Sequence, residues 1–127
     1  MKPPETIPTG LELEILKVIW KRGHATVREV YGDLLEQRKI AYTTVLTMMG
    51  VLERKGHVKK EPGERAYVYT PSKPQTQVVE SMVEEFVNRV FNGSAQPLLL
   101  HLMEDRHIRP EELDEIEKLV QERRKKQ

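Results

Sequence analysis

The sequence predicts a mainly α-helical protein with one short β-hairpin, and three observations lead to this fold class. Apolar stripes with helical spacing, bounded by helix-start and helix-stop residues, recur along most of the 127 residues. Only residues 57–70 change to the alternating pattern of strands. This change follows directly on three closely spaced helices. We therefore expect a winged helix-turn-helix domain at residues 1–71, followed by a three-helix C-terminal region at residues 72–127.

Capping boxes open the first two helices. In each box a Thr is followed three residues later by a Glu, so that the two side chains satisfy N–H groups of the first turn. Thr9 with Glu12 starts a helix that we expect to end at Gly23, and Thr26 with Glu29 starts one that reaches about Gln37. The inward residues predicted are Leu11, Leu13, Ile15, Leu16, Val18, Ile19, Trp20, Val27, Val30, Tyr31, Leu34 and Leu35.

The third helix, residues 41–56, has two different faces. Its apolar stripe is Val45, Met48, Met49 and Leu52. The opposite side carries Thr43, Thr44 and Thr47; either of the first two could cap the helix, and Arg54-Lys55-Gly56 marks its end. Short hydroxyls beside cations suit a DNA groove, since hydroxyls reach phosphates or base edges and cations offset backbone charge. The alternative is an ordinary amphipathic helix.

A basic hairpin follows. We expect strands at residues 57–61 and 65–70, joined by a type II turn with Pro62-Gly63 at its centre. Lys59, Lys60 and Arg65 would surround its tip and lie against phosphates or enter a minor groove. The alternative is a solvated edge whose lysines discourage strand pairing.

The C-terminal helices are too short to form a large core of their own. Pro71-Ser72-Lys73-Pro74 separates them from the wing, and they total about fifty residues, which is marginal for independent folding. We therefore expect them to form a homodimer, the alternative being that they fold back on the first domain. The residues predicted to dimerise are Val79, Met82, Val83, Phe86, Val90, Phe91, Leu99, Leu102, Met103, Leu113, Ile116, Leu119 and Val120.

Charge and composition favour nucleic-acid binding over other functions. Residues 38–73 hold 8 Lys and Arg against 3 Asp and Glu, a net charge of +5, whereas residues 74–127 carry −3. Cysteine is absent, and no signal core or membrane-length apolar run occurs, so we expect a cytoplasmic protein that does not insert into membranes.

Catalytic and metal chemistry find little support. His101, Glu104 and His107 could share one side of a helix, but no fourth ligand is evident, and we predict neither a metal nor a cofactor. His24 and His57, beside glycines, are expected to be solvated. No nucleophile motif, phosphate loop or convergent carboxylate pair indicates an enzyme. The open alternatives are a winged-helix protein-interaction module and a regulator with a ligand pocket between its domains.

Several motifs together resemble the penicillinase-repressor family of winged-helix transcriptional regulators, the BlaI/MecI/CopY type. They are Leu-Glu-Leu-Glu-Ile-Leu-Lys-Val-Ile-Trp at 11–20, Thr-Val-Arg-Glu-Val at 26–30, Ala-Tyr-Thr-Thr-Val-Leu-Thr at 41–47, Leu-Glu-Arg-Lys-Gly at 52–56 and the tyrosine-bearing wing. The resemblance implies a homodimeric repressor that binds dyad operators in double-stranded promoter DNA. The residues it assigns to DNA are Tyr42, Thr43, Thr44, Thr47, Arg54, Lys55, Lys59, Lys60 and Arg65, and we predict that Thr26 and Tyr67 also contact it.

The chain departs from this family at three places. Gly50-Val51 stands where many relatives have a polar residue followed by Arg, so one cationic contact is missing. The C-terminal cysteine cluster of copper-responsive members is absent. Some members are inactivated by a membrane sensor-protease that cuts an Asn–Phe bond in the middle dimerisation helix; the equivalent position here is His101-Leu102.

Overall fold

The structure is a computed structural model that describes residues 6–104 and 108–126. Its elements are α1 (Gly10–Arg22), α2 (Val27–Leu35), α3 (Tyr42–Arg54), β1 (Val58–Pro62), β2 (Tyr67–Pro71), α4 (Gln75–Phe91), α5 (Gln96–Glu104) and α6 (Pro110–Lys125). Helix-turn-helix followed by an antiparallel hairpin confirms the predicted fold class. The chain forms two compact units, one up to Glu85 and one from Phe86. The domain boundary placed after Pro71 stays a prediction.

Both capping boxes form where the sequence predicts them. The N–H of Thr9 donates to Glu12 Oε1 at 3.2 Å, and that of Thr26 donates to Glu29 Oε1 at 2.9 Å. Gly23, with φ of 87°, ends α1. Helix α2 ends at Leu35, earlier than expected, and the prediction that Leu35 points inward is wrong, since it is 45% exposed. One residue past buried Leu34, its side chain has turned about 100° around the helix axis, towards solvent.

The core of the first unit lies between α1, α2, α3 and the hairpin. Ala25, in the loop between α1 and α2, bonds the hairpin at Tyr69 through two backbone hydrogen bonds, of 3.0 and 2.8 Å. This bridge fixes the base of the wing against the helices. The buried apolar residues here are Ile15, Leu16, Ile19, Ala25, Val27, Val30, Leu34, Val45, Met49, Leu52, Val58 and Tyr69.

Two local predictions about turns and caps are wrong. Ala41 is the N-cap of α3 and makes no side-chain cap, so Thr43 and Thr44 lie within the helix instead of capping it. Pro62 pairs with Tyr67 inside the hairpin, and the tip is the loop at residues 63–66 rather than a type II turn. The N–H of Gly63 donates to the carbonyl of Ala66 at 3.0 Å. A Cβ on Gly63 would lie 2.5 Å from that oxygen, so the close approach requires glycine.

The expectation that His57 is solvated is also wrong. His57 is only 4% exposed, and its Nε2–H donates to the carbonyl of Thr6 at 2.6 Å. Its Nδ1 has no hydrogen-bond partner within residues 6–104 and 108–126. Burial lowers the pKa of this imidazole below its ordinary value, although the Thr6 carbonyl opposes that effect.

The later helices begin and end at local sequence signals. Asn92 (φ 53°) and Gly93 (φ 88°) separate α4 from α5. Phe86 and Phe91 meet edge to face, with ring centroids 5.9 Å apart. The N–H of Arg109, the N-cap of α6, donates to Glu112 Oε1 at 3.0 Å, and Pro110 occupies the first turn. The order of acids first and bases last in α6 complements the helix macrodipole.

Candidate nucleic-acid interface

The outward face of α3 carries accessible hydroxyl and cationic side chains. Val45, Met49 and Leu52 are buried, which turns Thr43 and Thr47 into solvent one helical turn apart. Thr44 is exposed at the edge of this face, and Arg54 is exposed at its C-terminal end. The hydroxyls can donate to or accept from base edges and phosphates, and the guanidinium can bind a phosphate.

An aromatic and cationic group supports the N-terminus of α3. The ring of Tyr42 packs edge to face against Tyr31, with centroids 5.4 Å apart, and the Arg28 guanidinium lies 5.7 Å from its centroid. Tyr42 keeps 37% of its surface exposed. Arg28 was missed by the sequence analysis. A cation in the first turn of a helix opposes the macrodipole, and that signal could have identified it.

Thr26 lies at the N-terminus of α2. Its Oγ1 accepts from the Glu29 N–H at 3.1 Å, so the hydroxyl proton remains available to another acceptor. Helix N-termini favour anions, so Thr26 and the cation of Arg28 make this end of α2 suitable for a phosphate. The side chain that caps α2 is therefore also able to contact DNA.

The two wing lysines point to opposite faces of the hairpin, because successive strand residues alternate. Lys60 lies on the face of buried Val58, and its Nζ is 4.6 Å from the ring centroid of Tyr67. Lys59 lies on the other face, 3.7 Å from Glu61 Oε1. Tyr67 is 53% exposed. The sequence placed the lysines in one cluster, but the structure joins Lys60 to Tyr67 and pairs Lys59 with an acid.

Arg65 lies in the tip loop of the wing and is exposed. The loop is held in shape by the hydrogen bond between Gly63 and Ala66. The side chain of Arg65 therefore projects from the outermost part of the hairpin. A cation in this position can reach a phosphate without steric hindrance from the helices.

Arg54 and Lys55 are neighbours, but the structure separates their roles. Lys55 Nζ lies 2.7 Å from Glu12 Oε1 and donates to the carbonyl of Ile7 at 3.3 Å. Only 19% of the Lys55 side chain and 7% of that of Glu12 are exposed. Burial alone would raise the pKa of Glu12, but hydrogen bonds from Lys55 and Thr9 outweigh it and leave that pKa below its ordinary value. Lys55 is thus engaged within the fold.

Other cations brace α1 against α2. Arg22 binds both carboxylate oxygens of Asp33 at 2.8 Å and also contacts Glu29 at 3.2 Å. Arg38 binds Glu14 at 2.8 Å. These pairs hold the helices on which α3 rests, and they lie apart from the hydroxyl face.

The residues predicted to dimerise are mainly exposed in the single chain. On α4 before Glu85, Val79 and Val83 are exposed and Met82 is partly so. In the second unit Leu102, Phe91 and Ile116 are partly exposed, and the exposed ones are Phe86, Val90, Leu99, Met103, Leu113, Leu119 and Val120.

Residues predicted as a cleavage position and as candidate metal ligands lie on α5. His101 is exposed and Leu102 partly buried, both within the helix, and the His101 ring lies 6.1 Å from that of Phe91. His107 lies outside the described residues. In the part of the chain that the structure describes, no three His, Asp or Glu residues converge on a metal position, and no helix is long and apolar enough to cross a membrane.

Comparisons with a family profile and with known relatives agree on one family. The profile of the penicillinase repressor family matches residues 8–122. The chain is similar to the penicillinase repressor of Bacillus licheniformis, with 31% identity over 87% of each chain. It is 33% identical to the transcriptional regulator BlaI of Mycobacterium tuberculosis over 74% of this chain and 70% of that one. Its fold is similar to that of E. coli MarR crystallised with operator DNA, with a TM-score of 0.53 at 16% identity over 90% of this chain and 74% of that one.

Proposed function

The chain belongs to the penicillinase repressor family, and from this premise we propose that it is a sequence-specific DNA-binding transcriptional repressor that acts as a homodimer on a dyad operator. The observation that carries the proposal is the exposed hydroxyl and cation face of α3 beside a basic wing. The similar proteins are by name repressors and regulators, and we assign the chain no enzymatic activity.

Helix α3 would lie in the major groove. Thr43 and Thr47 would meet base edges or the phosphates beside them, while Arg54 binds the backbone. Arg28 and Thr26 would hold the phosphates next to the N-terminus of α3, and Lys60 with Tyr67 would hold those next to the wing. Lys55 is left out of this interface because its ammonium is paired with Glu12.

Fluorescence anisotropy tests this function directly. The protein is titrated onto duplex from its own upstream promoter and onto a shuffled duplex, each at two salt concentrations. We expect a preference of about a thousandfold for the native duplex, with affinity falling steeply as salt rises. If binding to the promoter is no tighter than to the shuffled duplex, selection from random duplexes follows. If no duplex is preferred even then, the repressor proposal fails in favour of a protein-interaction module.

A matched pair of variants tests the role of α3. Thr47→Glu places a negative charge on the groove face and should abolish specific binding through repulsion from the phosphates. Thr76→Glu makes the same change at an exposed position in the first turn of α4 and should leave binding intact. Both proteins should unfold like the unmodified one in thermal denaturation. Full binding by Thr47→Glu would remove α3 from the interface.

The homodimer is supported by the exposed apolar residues of α4, α5 and α6. Their exposure in the single chain leaves apolar surface that a second copy would remove from water. A dimer would place two α3 helices on one duplex and match a dyad operator. Sedimentation of Leu119→Glu should show a shift towards monomer, and Gln121→Glu, on the same helix, should not. A monomer at all concentrations for the unmodified chain would overturn the homodimer.

Relief of repression by a membrane sensor-protease at His101-Leu102 is the last part of the proposal. Both residues lie within α5, so a protease would require that helix to open locally before cutting. Mass spectrometry of the protein from induced cells should give a fragment that ends at His101. Intact protein after full derepression would exclude cleavage as the signal.

A further inference from the structure

Leu46 is an exposed apolar side chain at the edge of the hydroxyl face of α3, about 60° around the helix axis from Thr43 and from buried Met49. It is 49% exposed, and it lies on the helix surface next to Thr43 and Gly50, three residues before and four residues after it. It does not belong to the buried stripe of Val45 and Met49, and the sequence analysis passed over it. An apolar residue outside the helical stripe was the signal that could have identified it.

Exposed apolar surface in the helix-turn-helix and wing is concentrated at the proposed interface. Among residues 6–71, the exposed large apolar residues are Leu35, Tyr42, Leu46 and Tyr67. Three of these four lie on α3 or the wing. Tyr42 and Tyr67 each lie against a cation, so their rings already serve to position Arg28 and Lys60. Leu46 can offer only apolar contact.

The chemistry of the major groove decides what Leu46 can recognise. The base edges there present donors and acceptors, and the 5-methyl group of thymine is the apolar exception. Leucine placed against a donor or acceptor would displace water without replacing its hydrogen bonds, which weakens binding. Leucine placed against a methyl group gains by removing both apolar surfaces from water. Contact between Leu46 and DNA therefore favours thymine over cytosine.

The surroundings of Leu46 leave space for such a contact. Gly50, one turn further along α3, has no side chain, although glycine weakens a helix interior relative to alanine. A Cβ on Gly50 would meet only the Arg54 guanidinium, at an ordinary 3.6 Å, so packing within the fold does not require glycine here. Because helical side chains lean towards the helix N-terminus, a side chain at position 50 would lie against Leu46, and glycine leaves that side of Leu46 accessible to a base edge.

We propose that Leu46 contacts the methyl group of one thymine in each operator half-site and sets a preference for thymine at that position. This inference rests on the proposed function, since it requires α3 to enter the major groove. It assigns to this chain a specificity residue of a different kind from the threonines, which act through hydrogen bonds.

Replacement of single thymines by deoxyuridine tests the inference, because it removes the methyl group and nothing else. The duplex is the tightest binder from random selection, and each thymine in one half-site is replaced in turn. For the full-length protein we expect one position where the replacement weakens binding about fourfold, the effect of one buried methyl. Replacement in both half-sites should weaken it about sixteenfold.

Variants connect that position to Leu46. Leu46→Ala should bind the unmodified duplex more weakly and should lose its sensitivity to deoxyuridine at that position. Leu35→Ala is the matched control, because Leu35 is a similarly exposed leucine, 45% against 49%, on α2. It should keep both the affinity and the sensitivity. Circular dichroism melts of both variants should match that of the unmodified protein, since neither leucine is buried.

The outcomes separate the two proposals. If selection finds no preferred duplex, the proposed repressor function is wrong, and the proposed role of Leu46, which depends on it, is wrong too. If a preferred duplex is found but no thymine is sensitive, or Leu46→Ala keeps the full sensitivity, the repressor function stands and the role of Leu46 is overturned. Loss of sensitivity in Leu46→Ala alone supports the contact.

Discussion

The variants Lys55→Met and Arg54→Met should have opposite consequences for stability and for DNA binding, although the two cations are adjacent in the sequence. Methionine keeps most of the length of either side chain and removes only the charge and the hydrogen bonds. Lys55 is paired with Glu12 at 2.7 Å inside the fold, whereas Arg54 is exposed on α3. We expect Lys55→Met to lower stability with little change in DNA contact, and Arg54→Met to do the reverse.

The size of the stability loss follows from the burial of the pair. Removing one partner of a buried ion pair costs about 3–5 kcal/mol, because the other charge is left without compensation. The carboxylate of Glu12 that remains is 7% exposed and keeps its hydrogen bond from the Thr9 N–H, which compensates part of its charge, so we expect a loss of about 2–3 kcal/mol. Since domains are stable by about 5–15 kcal/mol, the variant should still fold. Urea denaturation followed by circular dichroism measures this loss.

DNA binding gives the second half of the comparison. Arg54→Met should reduce the slope of log affinity against log salt by about one per protomer, because one phosphate contact is lost. Lys55→Met, measured well below its melting temperature, should keep the salt slope of the unmodified protein. Anisotropy titrations at four salt concentrations on one duplex give both slopes.

A double variant separates loss of the ion pair from loss of packing. Glu12→Gln removes the acid but keeps an oxygen for the capping hydrogen bond to Thr9. Combined with Lys55→Met it should recover most of the stability, since no unpaired charge remains buried. The reasoning would be refuted by a Lys55→Met protein that unfolds like the unmodified one and loses a unit of salt slope.

Three further predictions follow from the wing and its base. Lys60→Ala should weaken binding to every duplex and lower the slope of log affinity against log salt by about one per protomer. Lys59→Ala should lower that slope less, because Glu61 already offsets the charge of Lys59. Equal salt slopes for the two variants in anisotropy titrations would contradict the assignment of the lysines to different faces. Burial lowers the pKa of His57, so the unfolded chain takes up a proton first as pH falls through about 6.5, and stability should decline from there. His57→Gln should flatten that decline between pH 7 and 5 in urea titrations, and an unchanged decline would assign it to another group. Gly63→Ala should distort the tip of the wing, because the added Cβ forces the Ala66 carbonyl away. We expect the free energy of unfolding to fall by about 1–3 kcal/mol and binding to all duplexes to weaken. An unaltered thermal melt would show that the tip can adapt.

The sequence alone determined the elements of the fold, because their signals are local. A capping box needs two residues three positions apart, and both Thr9 with Glu12 and Thr26 with Glu29 formed as predicted. Gly23 and Gly93 ended helices for the same reason, since a positive φ is a property of one residue. The change from helical to alternating spacing identified the wing, and the buried stripe of α3 fixed which face could meet DNA.

What only the tertiary structure decided is the role of side chains whose partners are distant along the chain. Lys55 meets Glu12, 43 residues earlier, and His57 meets Thr6, 51 residues earlier, so no local pattern could place either one inside. The contact of Lys60 with Tyr67 depended on the strand register, and the exposure of Leu35 depended on which elements packed beside α2. Spacing along a chain sets which way a side chain points relative to its own helix or strand. Whether it then meets solvent, another charge or DNA depends on elements far away in sequence.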